Sequence, residues 1–448
     1  MRIPTSTFSV LTALICAAAL QLLATATLAQ QTQSEWTALP EMHAKWQAWR
    51  ESMKQTPLPE KAGCFAASYP GAEWQETSCE PSPLVHYSTL PADTNHANNV
   101  GSGTDKFGVV PSTNPLSSVT GSFPIATDYT TVNSYSLQVN TNLFEVPTWC
   151  AGAANPSACY GWEQFIYDEA TSQLLIEYTL VNWGSYNCPS PFGHPYVVQG
   201  SNGWIACYVN TPITSVPGQP LANLPYMELM GEVSGTLNEA ILWTGNGNLY
   251  ATTNNDLFGT ALAQNWTSAE FGVFGANSDS PEAIFNTGAT FVVEEGLNNG
   301  TTALPQCYSS SGFSTTEYNN LNLVPNCCPY GGTSPSIQFM ESNASGATAT
   351  CGANGLQGNF AATPYIINAQ QNDGSQWVFY TVTVGDSTPS ATIYYSLPAC
   401  GLNYFPSSGS VSSGGSFNWV APYSCGPEVT MYATAPGYVA SLAVTDYF

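Results

Sequence analysis

Few residues in this chain can do acid–base or nucleophilic chemistry. It holds four histidines, His43, His86, His96 and His194, and has no G-x-S-x-G turn, H-E-x-x-H helix, P-loop or dinucleotide-binding glycine pattern. Paired aspartates of the D-T-G or D-S-G kind are absent too. A Ser–His or Cys–His mechanism would have to use His194, within F-G-H-P-Y, and an imidazole is protonated, hence useless as a base, in acid. Metal-type spacing of cysteines and histidines is missing, so neither metal nor other cofactor is expected. Carboxylate and amide chemistry remains.

Within Q-L-L-I-E-Y-T-L-V-N-W, strand alternation puts Leu174, Ile176, Tyr178 and Leu180 on one face, with Glu177, Thr179 and Trp183 on the other. The second face suits a concave, substrate-lining surface, although half the positions of any antiparallel sheet face solvent without a function.

Two longer stretches carry a resemblance. NWTSAEFGVFGANSDSPEAIFNTGATFVVEE (265–295) and CYGWEQFIYDEATSQLLIEYTLVNWG (159–184) resemble the paired strands of the glutamic endopeptidases called eqolisins and, more distantly, the neprosins. The resemblance implies a concanavalin-like jelly roll that hydrolyses peptides without a cofactor, with Glu270 on the catalytic glutamate and Gln164 on the catalytic glutamine. The W-V-G-I-D-G segment that precedes the glutamine in that family is missing here. An alternative register places Glu177 in the second role, and Glu163 is a further candidate. The implied mechanism has Glu270 as general base on water and a neutral Gln164 amide donating to the oxyanion. Trp162, Trp183 and Trp266 would line the cleft; burial in the core is the alternative. Two other functions stay open, a non-catalytic glycan-binding sandwich and a two-carboxylate glycosidase or lyase.

The elements that must hold these residues read as strands. SYSLQVNTNLF, GWEQFIYD, QLLIEYTLVNW, GWIACYVN, EAILWTG, NLYATTN, AEFGVFG and AIFNTGATFVVEE are short β-rich runs separated by Gly, Asn, Pro and Ser. They predict an all-β protein, a sandwich of two antiparallel sheets over about 121–301 with a Cys-rich extension to 362. Residues 63–120 read as a disulfide loop and polar linker. Residues 30–62 carry Lys45, Arg50, Lys54 and Lys61 beside a helical stripe of Leu39, Met42, Trp46, Trp49 and Met53. This predicts an amphipathic pro-segment or an ordinary docked N-terminal helix. Over 363–448, TPSATIYYSL and VTMYATAPGYVASLAVTDYF resemble the small Ig-like repeat that ends chitobiase-type secreted hydrolases, which implies an accessory domain.

Arg2, the apolar run Val10–Leu23 and Thr27-Leu28-Ala29 read as a secretory signal, 1–29, with a retained anchor as the alternative. Beyond it stand twelve cysteines, an even number that suits an oxidising compartment. Spacing suggests Cys64–Cys79, Cys150–Cys159, Cys188–Cys207 and Cys400–Cys425, the other four pairing among themselves. Lys106 is the last basic residue, so the 342 residues from Phe107 onward carry 21 Asp and Glu against no Lys or Arg. Their mutual repulsion fades near the intrinsic carboxylate pKa of about 4, which predicts stability and activity in acid. Nucleic acid and anionic membrane are poor partners for this field. A secreted monomer acting on proteins or peptides is expected.

Overall fold

The computed structural model describes residues 40–87, 107–127, 130–197 except 132, 204–276, 283–308 and 319–361 except 354; within 364–447 it describes all but 374–376, 387, 389, 398–407, 423–427, 436–437, 439–440 and 442–443. The expected signal 1–29, the linker stretch 88–106 and the Cys400–Cys425 pair lie outside the described residues.

The described chain is dominated by antiparallel strands. One helix, α1 (Pro40–Met53), precedes β1 (Gly63–Ser68), β2 (Gln75–Thr77), β3 (Gly108–Val110), β4 (Ser118–Thr127), β5 (Tyr135–Thr141), β6 (Tyr160–Asp168), β7 (Gln173–Val181), β8 (His194–Val197) and β9 (Ile205–Asn210). There follow β10 (Thr214–Ser215), β11 (Glu228–Ser234), β12 (Leu237–Trp243), β13 (Asn248–Asn255), β14 (Ala269–Gly275), β15 (Thr290–Asn298), β16 (Gln306–Tyr308), β17 (Asn322–Tyr330) and β18 (Ser336–Ser342). The first sheet runs β17-β18-β15-β4-β11-β12-β13-β1-β2; the second runs β16-β3-β14-β5-β6-β7-β9-β8, with β10 on β7.

The two sheets face each other across one apolar core. Phe123, Leu229, Leu242, Phe291 and Phe339 of the first meet Leu137, Val139, Phe165, Ile176 and Phe271 of the second. Two glycines set the close approach. A Cβ at Gly121 would lie 1.9 Å from the Phe271 ring, and one at Gly231 would lie 2.3 Å from the Phe165 ring. Each ring therefore seats in a notch of the opposite sheet. Because side chains alternate along a strand, seating Phe271 and Phe165 inward turns their neighbours Glu270 and Gln164 outward.

Several expectations change. Residues 63–79 contain β1 and β2, the edge of the first sheet, and β3 and the first three residues of β4 fall where a linker was expected. The short sequence GCFAAS is strand because Phe65 and Ala67 complete an apolar face beneath α1. The Cys-rich stretch adds β17 and β18 to the first sheet. Among the described residues five disulfides form: Cys64–Cys79, Cys150–Cys159, Cys188–Cys207, Cys307–Cys327 and Cys328–Cys351. The last two resolve the four cysteines whose partners spacing left open.

Helix α1 lies on the outer face of the first sheet, with Trp46, Trp49 and Met53 buried against Phe65, Ile241, Trp243 and Leu249. Leu39 and the Met42 side chain lie outside the described residues. Among the described residues no helix is long and apolar enough to cross a membrane. Beyond residue 363, a three-stranded sheet (Tyr365–Asp373, Trp377–Gly385, Ser416–Pro422) and a four-stranded one (Ser408–Ser412, Thr392–Ser396, Glu428–Thr434, Val444–Tyr447) share a separate core around Val382, Phe417, Trp419, Ile393, Tyr395 and Met431.

Candidate functional site

The outward residues of the second sheet form a polar row. In register, Glu270 on β14 stands opposite Asn140 on β5, Asn140 opposite Gln164 on β6, Gln164 opposite Glu177 on β7, and Glu177 opposite Asn210 on β9. Strands lie about 4.8 Å apart, so the Glu270 and Gln164 backbones, two strands removed, are roughly 10 Å apart. Asn140 fills the gap. Its Nδ2 donates to Glu270 Oε1 at 3.2 Å, and its Oδ1 accepts from Gln164 Nε2 at 2.9 Å. Gln164 Nε2 also donates to Gln138 Oε1 at 3.0 Å, and Gln138 Nε2 donates to Ser136 Oγ. Both Gln164 N–H protons are thus engaged, while its buried Oε1 has no partner.

An extended segment crosses the other end of the row. Its start is pinned: Cys79 is bonded to Cys64, and Glu80 exchanges both backbone hydrogen bonds with Ile213. Asn210 Nδ2 then donates to the Pro83 and Val85 carbonyls at 3.0 and 2.6 Å, and the Tyr208 hydroxyl donates to the Leu84 carbonyl at 2.7 Å. The Tyr87 N–H donates to Glu177 Oε2 at 3.0 Å. The Tyr87 ring is buried among Ile166, Leu175 and Ile213, and its hydroxyl donates to Asp168 Oδ2 at 3.0 Å. Meanwhile His86 stacks on Tyr196 with ring centroids 4.0 Å apart.

The chain matches no known protein family and no curated protein. Its site is therefore read from its own geometry.

Burial sets the electrostatics. Glu177 is fully buried, and desolvation pushes its carboxyl up to about 8 against the opposing pull of the Tyr87 N–H and the Thr179 hydroxyl. Burial likewise raises Asp168, partly offset by hydrogen bonds from Thr171, Tyr87 and Ala170. In acid, Glu177 is a neutral carboxyl able to donate a proton or a hydrogen bond.

The sheet brings Glu270 and Gln164 onto one face and puts Glu177 beside them. Glu163 it does not. One position from Gln164, that side chain points between the sheets, where Asn238 Nδ2 donates to its Oε2 and burial, then the nearby Asp256, raises its pKa well above normal. Trp266 belongs to the core, stacked on Phe165 with centroids 5.8 Å apart. Trp183 also turns into the core, because the strand ends at Val181 and Asn182 takes a φ of 57°, which breaks the alternation. Only Trp162 shares the outward face, buried with Tyr196 and Tyr208 at the end of the groove. The sequence reading missed Asn140, Gln138, Asn210, Tyr87 and Asp168. For two of them a signal was present, since in S-Y-S-L-Q-V-N the polar Ser136, Gln138 and Asn140 alternate with Tyr135, Leu137 and Val139.

One positioning carboxylate also escaped it. Glu295 of β15 reaches across the sandwich, its two oxygens accepting the N–H groups of Phe271 at 2.7 Å and Val109 at 2.9 Å. It ties β14, and with it Glu270, to the first sheet.

Proposed function

We propose that this protein is a secreted, acid-active endopeptidase in which Glu270 is the general base and Gln164 the neutral partner. The observation that carries the reading is the in-register row in which Asn140 joins the Glu270 carboxylate to the Gln164 amide on one outward face. Ionised Glu270 takes a proton from a water whose oxygen attacks the scissile carbonyl carbon. The C–N bond then breaks, and the same proton passes from Glu270 to the departing amine, leaving a carboxylic acid and an amine.

The carbonyl oxygen gains negative charge in the attack and needs a donor. Gln164 becomes that donor by releasing one N–H from Gln138 Oε1 toward the carbonyl oxygen, while its other N–H stays on Asn140 Oδ1 and Asn140 keeps its bond to Glu270. A second reading rests on the neutral Glu177 carboxyl opposite Gln164, which in acid carries a proton to donate once the Tyr87 N–H leaves its Oε2.

Digestion of a denatured protein at pH 3–4 by the three single variants tests both. Glu270→Gln should lower the rate a hundredfold or more, as expected when a general base is lost. Gln164→Ala should cost at least about tenfold if Gln164 is the donor, through an interaction worth up to ~3 kcal/mol. If Glu177 is the donor, Glu177→Gln is the damaging change and Gln164→Ala is mild. A folded Glu270→Gln variant that digests as fast as wild type ends the proposal, and retention of polysaccharides would then favour the glycan-binding alternative.

A further inference from the structure

The segment Pro83–Tyr87 is held in a way that reads backbone first and one side chain second. Three of its carbonyls and one N–H are engaged by Asn210, Tyr208 and Glu177, groups that would hold any extended chain equally well. Leu84 points to solvent, 73% exposed, and contributes nothing to selection. Tyr87 differs. Its ring fills a pocket walled by Ile166, Leu175 and Ile213, and Asp168 at its floor accepts the phenol hydroxyl. An apolar slot closed by a hydrogen-bond acceptor favours tyrosine, because a side chain without the hydroxyl leaves the buried Asp168 with one hydrogen bond fewer beside those from Thr171 and Ala170.

The groove also has a direction. The segment passes from Asn210 on β9 to Glu177 on β7, and the line it follows continues over the strands that carry the buried Gln164 and Asn140 and then Glu270.

We propose that the groove over β9 and β7 is a peptide-binding site for extended polypeptides carrying a tyrosine, and less well a phenylalanine, in the pocket now filled by Tyr87. In the intact chain its own segment occupies the site. This deepens the endopeptidase reading and rests on it for one consequence only: the scissile bond lies on the C-terminal side of the pocketed aromatic residue.

The test separates binding from hydrolysis. Acetylated peptide amides of the sequence Pro-Leu-Val-His-Tyr, and the same peptide ending in Phe or Ala, are titrated calorimetrically at pH 4 into full-length Tyr87→Ala, whose pocket is vacated. The Tyr peptide should bind at least tenfold more tightly than the Ala peptide, with Phe between. Adding Asp168→Ala should erase the preference of Tyr over Phe while keeping that of Phe over Ala. Should Tyr87→Ala fail to fold, wild type serves: millimolar Tyr peptide should speed hydrogen exchange at residues 83–87 and the Ala peptide should not. Equal behaviour of the three peptides in a folded protein overturns the proposal, even if the enzyme digests protein. Conversely, selective binding without any hydrolysis upholds the site and removes the peptidase reading. In a digest by wild type, cuts with no aromatic residue at a fixed N-terminal position would also overturn it.

Discussion

Both sheets have an outer face covered by the N-terminal part of the chain, and the two covers are built on different principles. On the first sheet, α1 buries Trp46, Trp49 and Met53 on an apolar patch, and Arg50 adds a partly buried ion pair to Glu228 at 2.5 Å. On the second, Pro83–Tyr87 is attached through its backbone to Asn210, Tyr208 and Glu177, and by the Tyr87 ring in its pocket and His86 stacked on Tyr196. Apolar burial scales with area and does not depend on protonation. Hydrogen bonds to a row of amides and carboxyls are exchangeable, since another backbone offers the same groups. The first cover is thus an extension of the core, and the second behaves as an occupant of a site.

The sharpest way to break this contrast is to exchange its consequences. Trp46→Ala should destabilise the protein by about 3–5 kcal/mol, as large buried truncations do, yet leave peptide hydrolysis in the folded fraction within twofold. Glu270→Gln should do the reverse, with a melting temperature near that of wild type. Denaturant titration and a protease assay on the same two samples decide it; parallel losses in both would mean that the faces are coupled.

Next in size is the pin that holds the segment. Cys64 and Cys79 are 15 residues apart, and closing a loop of that length stabilises by about 3 kcal/mol in the chain-entropy description. Cys64→Ser/Cys79→Ser should lose about that much in denaturant unfolding. It should also raise hydrogen exchange at residues 80–87 more than at 46–53. Equal rises at both would contradict the independence of the two covers.

A third prediction concerns pH. Folded Glu177 keeps its proton up to about pH 8, whereas in the unfolded chain it releases it near its ordinary 4.5. Between these values the folded state binds more protons, so stability is complete below pH 4.5 and falls as pH rises toward 8. Glu239, pushed up to about 7 by burial and then by Glu232, and Asp256, raised to about 6 by burial, act in the same sense. The melting temperature should therefore fall from pH 4 to pH 8. Glu177→Gln should recover on the order of 2–3 kcal/mol at pH 8 and nothing at pH 4. A melting temperature that rises with pH would contradict the burial argument.

The smallest expected effect probes the first sheet again. Glu232 and Glu239 stand directly opposite each other, lining a cavity of about 740 Å³ beside Met53, Trp74 and Trp243. Glu239→Gln should stabilise by about 1–2 kcal/mol at pH 8 and leave peptide hydrolysis unchanged. Loss of hydrolysis in that variant would move the chemistry to the face beneath α1 and favour the two-carboxylate alternative.

Much of the second sheet was legible beforehand, because its strands are amphipathic in the simplest sense. Leu174, Ile176, Tyr178 and Leu180 do line the core while Glu177 and Thr179 do not. Alternation failed where the backbone left the strand, at Asn182, and so misplaced Trp183. It carried no information on cross-strand register, which placed Asn140 between Glu270 and Gln164, residues far apart in sequence. Nor did local pattern reveal that GCFAAS is a strand, since its pairing with β13 depends on a partner almost two hundred residues away.

What the sequence determined by itself is the all-β class, three of the five disulfides among the described residues, and the absence of Lys and Arg beyond Lys106. These follow from composition, period-two patterning and short loop spacings, which act locally or as sums over the chain. The tertiary structure alone decided which carboxyl groups burial shifts upward, which amides touch, and that Tyr87 lies in a pocket ending at Asp168. Desolvation and strand register are properties of surroundings assembled from distant segments, and no single stretch of chain contains them.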